Sequence, residues 1–114
     1  MTKDFDANIQ GKIPVHLWMI PVIKGCAKTH GYAIAVHGSL GRDLDLVAIP
    51  WTEEASTAEV LVEHIKQWIG GTDNPSHPDK AGPELKPHGR RAWEIHFQFF
   101  YIDLSVMPLL AVKG

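Results

Sequence analysis

Two stretches late in the chain alternate apolar and polar residues with almost nothing between them, and this limits the fold more than any other feature. In RAWEIHFQ, Trp93, Ile95 and Phe97 share one side while Glu94, His96 and Gln98 share the other. In FYIDLSVMP, Phe100, Ile102, Leu104 and Val106 oppose Tyr101, Asp103 and Ser105. A period of two belongs to a half-buried strand. The two segments are expected to form a hairpin whose apolar side other elements must cover.

Two segments have the pattern to cover it. MIPVIKGCAKTHG reads as a short helix with Pro21 in its first turn, Lys28 and His30 near its end and Gly31 as its stop, preceded by an arm over residues 1–13. Ser56 and Glu59 have capping-box spacing, and Val60, Leu61, Ile65, Trp68 and Ile69 then recur on one helical face until Gly70 and Gly71. Between them YAIAVHG and LDLVAIPW read as strands joined by the turn SLGRD, a second hairpin. From Gly70 to Gly89 the chain is rich in Pro and Gly without apolar period and reads as a long loop. Trp18, Trp51, Trp68 and Trp93 are expected to build the core and its rim. The expected class is α+β, a single domain with helices packed on one face of a small mixed sheet.

A chain of 114 residues suffices for one such core, burying roughly two-thirds of its unfolded surface. Its 13 acids against 11 Lys plus Arg, a formal charge of −2, argue against a protein whose main task is coating nucleic acid. One cysteine, Cys26, excludes an internal disulfide and Cys-rich zinc sites and suits a reducing compartment. The apolar run from Ile13 to Ile23 is too short to span a bilayer and is broken by Pro14, His16 and Pro21. The opening residues lack the order of a signal peptide, so no membrane partner is expected and the expected location is cytoplasmic. Seven histidines include no HxxxH or HxH spacing, and no structural zinc is expected.

The chemistry concentrates in HGSLGRDLDLVAIPW. Asp43 and Asp45 lie two apart, so on a strand both carboxylates project to one side, about 7 Å apart at the backbone. Asp103 is a third acid, set between Ile102 and Leu104, where an unpaired carboxylate is costly to bury. A divalent cation, Mg²⁺ or Mn²⁺, would offset such charge, since both favour oxygen ligands and phosphate co-ligands. In the bland alternative Asp43 caps a turn, Asp45 pairs with Arg42 or Arg91, and Asp103 pairs with Arg90 or His96. KPHGRR adds Lys86, His88, Arg90 and Arg91, which could bind phosphate or balance the acids. His37 could orient a phosphate or serve as a hydrogen-bonded strand histidine, and His96 could act as a base or partner Glu94 or Asp103.

HGSLGRDLDLVAI followed by YIDLSV resembles the signature of the polymerase-β-type nucleotidyltransferase superfamily: Gly-Ser after an apolar strand, Asp-x-Asp in the next, one acid in a later strand. The resemblance covers about residues 19 to 108. It implies that Gly38 and Ser39 contact nucleotide phosphates while Asp43, Asp45 and Asp103 are catalytic and bind metal; the nearby basic residues Arg42, Lys86, His88 and Arg90 are, on their own chemistry, candidate nucleotide contacts. Here only Leu40, Gly41 and Arg42 separate Gly-Ser from the first Asp, whereas the superfamily has room there for a helical turn that receives phosphate. The HGSL-RDLDL, KPHGR and YIDLSVMP segments also resemble those of small bacteriophage and prophage proteins.

The leading expectation is a nucleotidyltransferase-like protein that binds a nucleoside triphosphate and a divalent metal and transfers a nucleotidyl group to an acceptor. The competing class is a catalytically inactive, phage-encoded module that binds a host protein or sequesters a nucleotide. A nucleic-acid partner is disfavoured, since only residues 86–91 are markedly basic. Edge strands left by the hairpins make a homodimer a natural assembly.

Overall fold

The computed structural model describes residues 13–37, 44–73, 82–97 and 100–110. The elements are α1 (Ile13–Thr29), β1 (Tyr32–His37), β2 (Leu44–Pro50), α2 (Ala58–Ile69), β3 (Glu84–Leu85), β4 (Arg91–Phe97) and β5 (Phe100–Val106). The five strands form one sheet in the order β1-β2-β5-β4-β3. β1 pairs antiparallel with β2, and β4 with both β5 and β3, while β2 and β5 run parallel. This is the α+β architecture expected, with a mixed sheet.

Alternation decides which face is covered. Leu44, Leu46 and Ala48 of β2, Ile102, Leu104 and Val106 of β5, and Trp93 and Ile95 of β4 are all buried in one core with both helices. α1 contributes Met19, Ile23, Cys26 and Ala27, and α2 contributes Ala58, Leu61, Val62, Ile65 and Ile69. Both sets follow helical spacing. Each large aliphatic side chain so buried contributes about 1.5–3 kcal/mol. Asp45, Val47, Asp103, Ser105, Glu94 and His96 are left on the opposite face, away from the helices.

Several sequence expectations are corrected here. α1 begins at Ile13, the last residue of the expected arm and well before the expected helix start at Met19, and Pro21 lies well inside the helix. Pro21 faces solvent, where water can replace the backbone bond that its ring deletes, and Pro14 takes the first-turn place instead. Residues 1–12 lie outside the described residues. The N-cap of α2 is Thr57, not Ser56: the Thr57 hydroxyl accepts from the Val60 amide at 3.3 Å. Ser56 works through its backbone instead, its amide donating to the His30 carbonyl and its carbonyl accepting from the Tyr32 hydroxyl at 2.7 Å. Glu59 also leaves the expected capping box and accepts from both terminal nitrogens of Arg91 on β4.

Val60 and Trp68 are exposed, and Val62 fills the core position instead, because the buried stripe of α2 is centred on Leu61 and Ile65. Of the tryptophans only Trp93 is buried, at 7% exposure, while Trp18, Trp51 and Trp68 are 46%, 59% and 53% exposed. Within the expected loop, Glu84 and Leu85 pair with Ala92 and Arg91 as β3, and Thr72 exchanges backbone bonds with His96. Gly31 and Gly70 end the two helices with positive φ as expected, and at Gly31 a Cβ would meet the Ala55 Cα at 2.8 Å.

Thr57→Ala is expected to cost about 1 kcal/mol in chemical denaturation, whereas Ser56→Ala leaves stability nearly unchanged, because only the first removes a helix cap. Equal losses would return the cap to Ser56.

Candidate functional site

The face of the sheet away from the helices, uncovered by any helix among the described residues, carries a row of polar side chains set by strand register. His37 is opposite Asp45, Asp45 is opposite Asp103, and Asp103 is opposite Glu94. Opposed residues on neighbouring strands stand about 5 Å apart at Cβ. Three carboxylates from three strands thus lie side by side. Asp45 and Asp103 reach this position because each alternates with core residues: Leu44 and Leu46 for one, Ile102 and Leu104 for the other.

Like charges directly opposed on a sheet are destabilising. The consequence is visible at Asp103, which is half-buried and whose pKa lies above the usual carboxylate value. Burial is the main cause, the Asp45 charge adds to it, and Glu94 and Glu84 push the same way, while Lys86 pulls it back. Glu94 accepts a hydrogen bond from His96 Nε2 at 3.1 Å, and the His96 ring stacks on Tyr101 with centroids 5.4 Å apart.

KPHGR forms a tight turn beside this row. The Lys86 amide donates to the Arg90 carbonyl at 2.8 Å, closing a 3₁₀ turn over Pro87–Gly89 in which His88 takes a positive φ of 68°. Lys86 and Arg90 flank the turn: Lys86 lies 3.4 Å from Glu84 and acts on Asp103, and Arg90 donates to the Ser105 hydroxyl at 3.4 Å. Ser105 is buried despite lying on the uncovered face. His88 sits exposed in the turn itself.

The structure therefore brings together Asp45, Asp103 and Lys86, with Arg90 bonded to Ser105 farther along β5. Gly38, Ser39, Arg42 and Asp43 lie outside the described residues. The bland pairings are revised: Arg91 is on the helix side, bound to Glu59 and 5.3 Å from the Trp93 ring, so it does not serve Asp45. Arg90 bonds to Ser105 rather than Asp103, whereas His96 bonds to Glu94, one of its two expected partners. Glu94 is a member of the row that sequence reading did not single out as a site residue, although its place opposite Asp103 follows from the hairpin register.

The donors are hard oxygens, the chemistry that Mg²⁺ and Mn²⁺ favour. Among the described residues no three acidic, histidine or cysteine side chains converge closely enough to hold an ion. Among the same residues no helix is long and apolar enough to cross a membrane. A separate groove, lined by Glu63, Lys66, Gln67 and Asp73, lies at the end of α2, and its Lys66–Asp73 ion pair at 2.7 Å already joins its charges.

A second cluster joins the two helices. His30 follows α1 and His64 lies within α2; His30 Nε2 and His64 Nδ1 are hydrogen-bonded, the rings meet edge to face at 4.5 Å, and His30 Nδ1 bonds to the Cys26 carbonyl at 3.2 Å. Burial first, and the His64 charge second, lower the His30 pKa. No spacing rule flags two histidines so far apart in sequence. Burial raises the Cys26 thiol, consistent with a packing role.

No protein-family model, curated protein or solved structure matches this chain.

Two pH effects follow. The raised Asp103 pKa means that the folded chain keeps this proton at higher pH than the unfolded chain does. Its contribution is complete below the ordinary value of 3.8 and is lost as pH rises through the folded value. Asp103→Asn is therefore expected to stabilise the protein at neutral pH by about 0.5–1 kcal/mol, read by denaturant titration, with the gain shrinking in acid. His30 has the opposite sense. Its lowered pKa gives stability that is full above 6.5 and lost as pH falls below it, and His30→Gln should flatten that part of the profile.

Proposed function

We propose that the uncovered sheet face binds a nucleoside triphosphate together with Mg²⁺ or Mn²⁺, and that the protein is a small nucleotidyltransferase-like enzyme. The observation that carries this reading is the in-register placement of Asp45 and Asp103 on adjacent parallel strands, with the Asp103 carboxyl raised by burial and by its neighbour. A fold that sets like charges beside each other spends stability on the arrangement, and such places are where binding and catalysis are found.

In this reading Asp45 and Asp103 hold the cation, with Asp43 as the third ligand that the superfamily resemblance implies. Bound there, the cation would neutralise phosphate charge and favour ionisation of an acceptor hydroxyl. Lys86, whose charge acts on Asp103, and Arg90, bonded to Ser105 on the same strand, would take phosphate oxygens, Arg90 through its planar fork and Lys86 as a point charge. His37, opposite Asp45 at the end of β1, leads into Gly38 and Ser39, whose backbone would meet the phosphates. The acceptor is a hydroxyl-bearing molecule or partner protein.

The test is thermal unfolding of the wild type and Asp45→Asn with Mg²⁺ or Mn²⁺, with and without each nucleoside triphosphate. A ligand at about 100 times its Kd stabilises the folded chain by about 2.7 kcal/mol. The expected result is a rise that needs metal and nucleotide together and disappears in the variant. No rise with any pair, or the same rise in Asp45→Asn, refutes the site and favours a module that binds through another surface.

A further inference from the structure

The His30–His64 pair is held from both sides. His30 directly follows α1: its amide donates to the Ala27 carbonyl at 3.0 Å, its carbonyl accepts from the Ser56 amide at 2.9 Å, and Gly31 comes next with a φ of 87°. His64 lies midway along α2, in a turn that Leu61 and Ile65 fix in the core. Both rings are half-buried, so solvent reaches them without any loosening of the fold.

The ring nitrogens can be assigned. A carbonyl only accepts, so His30 Nδ1, 3.2 Å from the Cys26 carbonyl, carries a proton. In neutral His30 the bare nitrogen is therefore Nε2, and this is the atom aimed at His64 Nδ1. The hydrogen bond between the rings places its proton on His64 Nδ1. With that proton on His64 Nε2 instead, two lone pairs converge on one point between α1 and α2.

An imidazole whose second nitrogen donates to a backbone carbonyl is the usual form of a metal-bound histidine, because the carbonyl fixes the tautomer and raises the basicity of the other nitrogen. Metal–nitrogen bonds of about 2.0–2.1 Å put the centroids of two imidazoles, bonded at roughly a right angle, about 4.5 Å apart. The two rings stand at 4.5 Å. An ion enters by turning the rings, with the helices left where they are. Imidazole donors suit zinc, copper and nickel, whereas Mg²⁺ favours oxygen.

The geometry points to a two-histidine site for a divalent ion of the zinc class, held by His30 Nε2 and His64 Nδ1. The ion takes the place of the proton between the rings, which passes through water to His64 Nε2. Water fills the remaining positions, so the site is open and exchangeable, unlike the closed four-ligand sites of structural zinc. The bound ion ties α1 to α2 across 34 positions of sequence, and it therefore favours the folded chain over the unfolded one. The Cys26 thiol is buried in the core and is not a ligand. The site is separate from the acidic row, which lies on the other face of the sheet and offers oxygen donors.

Calorimetric titration of the full chain with Zn²⁺, thermal unfolding with and without zinc, and ¹⁵N NMR of the histidine rings test this. The expected result is a zinc-binding event that Mg²⁺ does not compete away, an unfolding midpoint raised by about 5 °C or more at saturation and restored by a chelator, and zinc-induced shifts at His30 Nε2 and His64 Nδ1. That event and its midpoint rise disappear in His64→Gln and in His30→Gln, each checked for native helix content by circular dichroism. Both persist in Asp45→Asn, which separates this site from the acidic row, and in Cys26→Ala. Zinc that raises the midpoint of both histidine variants as it does the wild type overturns the inference. So does a shift at His64 Nε2 in place of Nδ1, or no binding up to about 1 mM Zn²⁺; the pair is then a hydrogen bond between helices and nothing more.

Discussion

The parallel pairing of β2 with β5 holds the molecule together. It is the join between an N-terminal hairpin and a C-terminal one, and each contributes a strand whose residues alternate between the core and the opposite face. On one side of the join Leu44, Leu46, Ile102 and Leu104 fill the middle of the core against both helices. On the other side the same alternation puts Asp45 beside Asp103. The core and the acidic pair are two faces of one register, and a slip by one residue would exchange them.

Much of this was legible because period and burial agree. Both hairpins, both glycine-terminated helices and the α+β class follow from patterns of two and of 3.6 residues. What escaped depended on tertiary context. The start of α1 was hidden by Pro21, which reads locally as a first-turn residue, although Pro14 holds that place and Pro21 faces solvent inside the helix. The shift of the cap from Ser56 to Thr57 arose because Ser56 is held through its backbone by Tyr32 and His30, and Glu59 is drawn away by Arg91. Neither partner is local in sequence.

The site shows the same division. That Asp103 is an anomaly in an apolar strand is plain from Ile102 and Leu104 around it, and that KPHGR lies near the acids follows from its place before β4. That Asp45 is the residue beside Asp103 required the strand order, because no local rule says that β2 and β5 are neighbours or parallel. The His30–His64 contact was wholly invisible, since it is made where the end of α1 packs against the middle of α2.

The order of the strands also has a kinetic side. Each hairpin, β1 with β2 and β4 with β5, closes over a short stretch of chain, but Leu44 meets Ile102 only after a segment longer than half the chain has been looped back. Contacts of that sequence separation are the slow ones, because loop closure is paid before any packing is gained. The two hairpins can therefore form early and wait for each other with their inner edges bare. In that interval β2 and β5 are the sticky strands of this chain, and the juxtaposition of Asp45 with Asp103 is among the last features of the native state to appear.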